Sequence, residues 1–128
     1  MQVTLEHANI TVSDPIATAA WLDQVFGWKI RWQGASIHGG HSVHVGGAES
    51  YLALYSPAKP ANDAKGSSYD TKGGLNHLAV VVTDLDAIEA RVKAAGFNPV
   101  NHADYEPGRR FYFLDHDNIE FEVVSYVA

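Results

Sequence analysis

The segment Leu5-Glu-His-Ala-Asn-Ile-Thr-Val-Ser-Asp14 recurs as Leu75-Asn-His-Leu-Ala-Val-Val-Val-Thr-Asp84, an offset of 70 in a chain of 128 residues, with Leu, His, Val and Asp identical. A repeat at half length means that two copies of one small unit must share the chain, which excludes most folds of this size. Each copy reads as a strand rich in β-branched residues, ending at an Asp able to cap a following helix. The first helix is expected from about Pro15, suited to the first helical position, through Ile16, Ala19, Leu22 and Phe26 to a stop at Gly27. The second is expected from about Leu85 through Ile88 and Val92 to Gly96, by which point the offset has become 69.

Short strands separated by turn residues follow each helix. They are expected at about Lys29 to Gln33, His41 to Val45 and Tyr51 to Tyr55, and again at Pro99 to His102, Arg110 to Leu114 and Ile119 to Tyr126. Pro107-Gly108 and Asp115-His116-Asp117-Asn118 mark turns in the second set. The pattern is α+β, with two tandem βαβββ modules forming a curved mixed sheet or partial barrel around a concave site. Module one covers 1–56 and module two 74–128, with a Pro-, Gly- and Ser-containing linker or lid over 57–73. All of it reads as one domain.

Composition narrows function. Nine Lys and Arg against fifteen Asp and Glu leave a formal charge of −6, and the basic residues are scattered apart from Arg109-Arg110, so nucleic acid is not an expected partner. No apolar run approaches the roughly 20 residues needed to span a bilayer, and the N-terminus lacks a basic region followed by an apolar segment, so a cytoplasmic location is the default expectation. The chain has no Cys and seven His, so a bound metal must use His and carboxylate.

Strand alternation then sorts the polar residues. In the first strand His7, Asn9 and Thr11 share one face and Ala8, Ile10 and Val12 the other, and the apolar set should meet the helix. The repeat places His77 like His7. In the last strand Glu120 and Glu122 alternate with Ile119, Phe121 and Val123. Arg110 and Tyr112 should face inward, and the offset of 69 carries them to His41 and Val43. Tyr51 and Tyr55 flank Ala53, which corresponds to Glu122. The concave face is thus expected to gather His7, His41, His77, Arg110, Tyr112 and Glu122.

The segments LEHANITVSD, LNHLAVVVTD and FYFLDHDNIEFEVV, with the paired βαβββ pattern, resemble the vicinal oxygen chelate superfamily of glyoxalase I, extradiol dioxygenases, fosfomycin-resistance thiol transferases and bleomycin-resistance proteins. The resemblance covers nearly the whole chain. It implies one divalent cation (Fe, Mn, Zn, Ni or Co) held by His7, His77 and Glu122, a small substrate with chelating oxygens, and a homodimer. Two departures stand out. Asp115-His116-Asp117-Asn118 replaces the family's usual Asp-Pro-Asp-Gly turn. Ala53 stands where glyoxalase I has a fourth ligand, which turns the expectation away from methylglyoxal isomerisation. Lyase, isomerase, thiol transferase and ring-cleaving dioxygenase chemistries all remain compatible.

Tyr112, by resemblance, lies beside the substrate, and His41 is an acid–base candidate or a turn His after Gly39-Gly40. Arg110 either holds an anionic substrate group or pairs with Glu120. Asn9, Tyr51 and Tyr55 are further substrate-facing candidates. His38, His44, His102 and His116 are expected at the surface, and Trp21, Trp28 and Trp32 in the core or a subunit contact. The rival reading is a metal-free binding protein of the bleomycin-resistance kind, which would sequester a planar ligand against Tyr51, Tyr55 and Tyr112.

Overall fold

The computed structural model describes residues 1–106 and 108–127; of the turn expected at Pro107-Gly108, Pro107 lies outside the described residues. The elements run β1 (His7–Thr11), α1 (Pro15–Phe26), β2 (Lys29–Ala35), β3 (His41–Gly46), β4 (Tyr51–Ser56), then β5 (Leu78–Val81), α2 (Leu85–Ala94), β6 (Val100–Tyr105), β7 (Gly108–Leu114) and β8 (Glu120–Ser125). Both βαβββ modules are therefore present, and the fold is α+β. The chain divides into two compact units, Met1–Asn62 and Asp63–Ala128, with the boundary inside the linker sequence. No helix among the described residues is long and apolar enough to cross a membrane.

Both helices begin where the repeat predicts. Asp14 accepts hydrogen bonds from the Ile16 and Ala17 amides at 3.1 and 3.3 Å, and Asp84 accepts one from the Ala87 amide at 3.0 Å. Gly27 ends α1 in the left-handed conformation at φ 73°, which costs a residue without Cβ little.

Each unit holds one four-stranded mixed sheet, in the orders β1-β4-β3-β2 and β5-β8-β7-β6. The strand after the turn motif pairs in parallel with the module's first strand, and the other pairings are antiparallel. In the first unit α1 packs on β2, β3 and β4, closing Leu22 and Val25 against Val43, Val45 and Leu54. In the second, Phe113 stacks between Phe97 and Phe121, with ring centroids 5.8 and 5.4 Å away. Burying such side chains is the main stabilising term. One face of each sheet is thus assigned to packing, and polar side chains collect on the other.

The turn before β8 sets the register of the carboxylates that follow. Asp115 Oδ1 accepts from the Asp117 and Ile119 amides at 2.8 and 3.0 Å. Asn118 adopts φ 60°, the conformation for which Gly or Asn is suited. Asp115→Ala would leave two amides without an acceptor and is expected to lower stability by about 1–3 kcal/mol in denaturant unfolding. Burial, the largest influence on the Asp115 carboxyl, raises its pKa, and the two amide bonds oppose that. The folded protein therefore keeps this proton to higher pH than the unfolded chain, so the gap between wild type and variant should be widest in acid and narrow as pH rises through the raised value.

Candidate functional site

In the first unit, backbone register decides which side chains meet. Asn9 pairs with Ala53 and Ala53 with His44, while His7 pairs with Tyr51 and Tyr51 with Gly46. One sheet face therefore carries His7, Asn9, His44, Tyr51 and Ala53. Their rings stack: His7 on Tyr51 at 4.7 Å and Tyr51 on His44 at 4.6 Å between centroids. Asn9 is exposed between His7 and Thr11. The Tyr55 hydroxyl donates to the Ile37 carbonyl at 2.9 Å, which ties that side chain to the loop before β3.

His41 is not on this face. It pairs with Ala35 and Ser56, three positions from His44, and its Nε2 lies 3.1 Å from Gln33 Oε1. The expected alignment with Arg110 and Tyr112 fails by one residue because the β3–β4 loop has four residues, 47–50, whereas the β7–β8 loop has five, 115–119. The offset between modules is 69 after this hairpin and 68 before it. Since side chains alternate, a shift of one exchanges the faces: the residue matching Tyr112 is His44, and Val43 is a core residue. Burial lowers the His44 pKa, and the charges of His7 and Arg31 act in the same direction, so its ring is neutral at pH 7.

A bulge between Ile30 and Trp32 adds two side chains to this face. The Arg31 guanidinium lies 4.5 Å above the Tyr51 ring, and the Trp32 indole is 5.0 Å from the His44 ring. Trp32 lies against Gly34, where a Cβ would come within 2.6 Å of the indole, and it is 51% exposed. Of its two expected places, the core and a subunit contact, the half-exposed ring excludes the core. Trp21, by contrast, is buried beside Phe26.

In the second unit, His77 immediately precedes β5, and Glu120 and Glu122 occupy β8. His77 Nε2 is 3.1 Å from Glu122 Oε1, and its Nδ1 is 3.2 Å from Glu120 Oε2. Glu122 is buried. Its other oxygen, Oε2, accepts from Arg110 Nη1 at 3.0 Å. Arg110 thus pairs with Glu122 and not with Glu120; its Nη2 donates to the Gly108 carbonyl, and its buried Nε has no partner. Tyr112 stands across from Glu122 on β7, with its ring edge-on to His77 at 5.7 Å. Burial, then the Glu122 charge, raises the Tyr112 pKa, so this phenol stays protonated and able to donate.

Among the described residues no three His, Asp or Glu side chains are gathered closely enough to hold a metal by themselves. The His77–Glu122 pair nevertheless has the chemistry of two adjacent ligands. Ligands each about 2.1 Å from a shared cation at octahedral or tetrahedral angles lie about 3.0–3.4 Å apart, and the observed separation is 3.1 Å. The ring is flanked by carboxylates at both nitrogens, Glu120 at Nδ1 and Glu122 at Nε2, and a cation between Nε2 and Glu122 would suit the second contact. His7, the third expected ligand, belongs to the other unit. Its Nδ1 lies 2.8 Å from Glu6 Oε1, so Nε2 is the ring nitrogen that could coordinate.

The sequence matches the Glyoxalase/Bleomycin resistance protein/Dioxygenase superfamily over residues 4–123, and the chain belongs to that superfamily. Among solved structures it is similar to a glyoxylase/bleomycin resistance protein/dioxygenase domain from Frankia sp. EAN1pec, with a TM-score of 0.82 and 22% identity over 98% of this chain and 93% of that one. It is also similar to the fosfomycin resistance protein FosX from Listeria monocytogenes, in a mutant form complexed with Mn(II) and 1S,2S-dihydroxypropylphosphonic acid. That match has a TM-score of 0.76 and 22% identity over 100% and 93% of the two chains. FosX from Mesorhizobium loti matches with a TM-score of 0.70 and 23% identity over 97% and 92%. No curated protein sequence matches.

The residues that sequence reasoning missed are Glu6, Arg31, Trp32, His44 and Tyr69. His44 had a readable signal, the unequal hairpin loops. Arg31 and Trp32 depend on a bulge, which alternation alone does not reveal. Glu120 lies on the expected face, but it meets His77 and Tyr69 and not Arg110, the partner considered for it.

Proposed function

We propose that the protein is a small metal-dependent enzyme of this superfamily, with His77 and Glu122 of the second unit and His7 of the first holding one divalent cation. The observation that carries the reading is the 3.1 Å approach of the partly exposed His77 Nε2 to Oε1 of the buried Glu122, a spacing that suits two ligands of one ion. A cation bound there would act as a Lewis acid on neighbouring substrate oxygens, and three protein ligands leave positions for a chelating substrate. Ala53 supplies no fourth ligand, which favours such an open set.

The chain's own residues would do the rest. Arg110 holds the far oxygen of Glu122, which fixes the carboxylate and moderates its charge. Protonated Tyr112 donates a hydrogen bond to a substrate oxygen as negative charge develops. Neutral His44 accepts a proton from the substrate, the role expected of His41. Asn9, Tyr51 and Trp32 line the face that receives the organic part, and Arg31 adds a positive charge for an anionic group. The reading includes a small-molecule substrate, a homodimer and a cytoplasmic setting.

The half-exposed Trp32 supports a second reading, sequestration of a planar ligand without chemistry. Metal analysis separates the two. Protein purified without chelator, or reconstituted in turn with Mn, Fe, Co, Ni and Zn, is expected to hold one equivalent of at least one ion by mass spectrometry. His7→Ala should hold less than one-tenth of that. A wild type that takes up none of the five would overturn the enzyme reading in favour of the binding protein.

A further inference from the structure

We propose that Glu6 and Glu120 are positioning residues, each anchored by a tyrosine hydroxyl and each turning one imidazole so that its Nε2 is presented for coordination. In the first unit the Tyr51 hydroxyl donates to Glu6 Oε1 at 3.2 Å, and the same oxygen lies 2.8 Å from His7 Nδ1. In the second, the Tyr69 hydroxyl donates to Glu120 Oε2 at 2.7 Å, and that oxygen lies 3.2 Å from His77 Nδ1. Each unit thus contains a Tyr–Glu–His chain that ends on the histidine singled out by the repeat.

The two chains do not descend from one repeated set of positions. Glu6 aligns with Asn76, and Glu120 aligns with Tyr51, so the position that supplies the tyrosine in one module supplies the carboxylate in the other. Tyr69 comes from a short 3-10 turn, Ser68–Asp70, in the segment read from sequence as linker or lid. The same arrangement has been assembled twice from different residues, which inherited packing would not produce.

The chemistry gives the arrangement a purpose. An ionised carboxylate only accepts, so the His7 nitrogen facing Glu6 carries the proton and a neutral ring keeps its lone pair on Nε2. The tyrosine donor restricts the rotation of the carboxylate. A carboxylate behind a metal-binding imidazole orients the ring and raises its basicity, and loss of such a group typically weakens metal binding 10–100-fold. The Glu120 side chain is 24% exposed and that of Glu6 65%, so the larger effect belongs to Glu120. The purpose assigned here rests on the metal reading above, while the fixing of the His7 ring does not.

The test uses the full chain in two measurements. In metal-free protein, long-range ¹H–¹⁵N spectra should show His7 as the Nδ1–H tautomer in wild type and largely as Nε2–H in Glu6→Ala, with Glu6→Gln restoring Nδ1–H because its amide oxygen still accepts. Calorimetric titration with Mn(II) alone should give affinities reduced about tenfold in Glu6→Ala and nearer 100-fold in Glu120→Ala, with the Gln variants recovering part of each loss. Circular dichroism confirms that each variant is folded. An unchanged His7 tautomer together with Mn(II) affinities within twofold of wild type would overturn the inference. If wild type binds no Mn(II) yet the His7 tautomer still depends on Glu6, ring positioning stands and the metal reading fails.

Discussion

His77→Ala is expected to weaken binding of a divalent cation by about 100- to 1,000-fold, measured calorimetrically against wild type. The magnitude follows from ligand count. Structural zinc sites with four ligands bind with apparent free energies of about 10–16 kcal/mol, or about 2.5–4 kcal/mol per ligand, and each 1.4 kcal/mol is tenfold in affinity. Packing losses should be small, because His77 is partly exposed and its ring meets Tyr112 only at an edge. His41→Ala is the matched control. That ring is bonded to Gln33 and lies on the opposite face from His44, so its removal should change the affinity less than twofold. Equal losses in the two variants would contradict both the ligand set and the register that separates His41 from it.

The contrast between those histidines shows what the sequence made legible. Helix starts could be read because Asp14 and Asp84 close the repeated strands, and the amide bonds to both carboxylates are local. The inward set of the last strand could be read because Glu120 and Glu122 alternate with Phe121 and Val123 without interruption. His41 could not be placed, since one extra residue in the second hairpin changes the alignment by one and alternation turns that into the wrong face. Trp32 and Arg31 needed the bulge in β2, a feature with no fixed residue signature. Tyr69 needed a long-range contact, its hydroxyl reaching Glu120 from 51 positions away in sequence, which no local pattern encodes.

Arg110→Ala is expected to destabilise the metal-free protein by about 3 kcal/mol in denaturant unfolding. Removing one partner of a buried ion pair costs about 3–5 kcal/mol, because the remaining charge keeps its desolvation penalty. The low end applies because His77 still contacts the other oxygen of Glu122. The Arg110 and Glu122 side chains are only 13% and 10% exposed, so water cannot readily replace the guanidinium. A bound cation can replace it in part. With Mn(II) at about 100 times its dissociation constant, binding to the folded state adds about 2.7 kcal/mol. Metal affinity itself should not fall in Arg110→Ala, since the lost side chain is a positive charge beside the proposed ion and not a ligand. Unfolding curves with and without Mn(II) would therefore lie far apart for the variant, and the ion should recover most of the lost stability. A variant whose own unfolding curve does not move when Mn(II) is added would mean that no cation reaches that carboxylate.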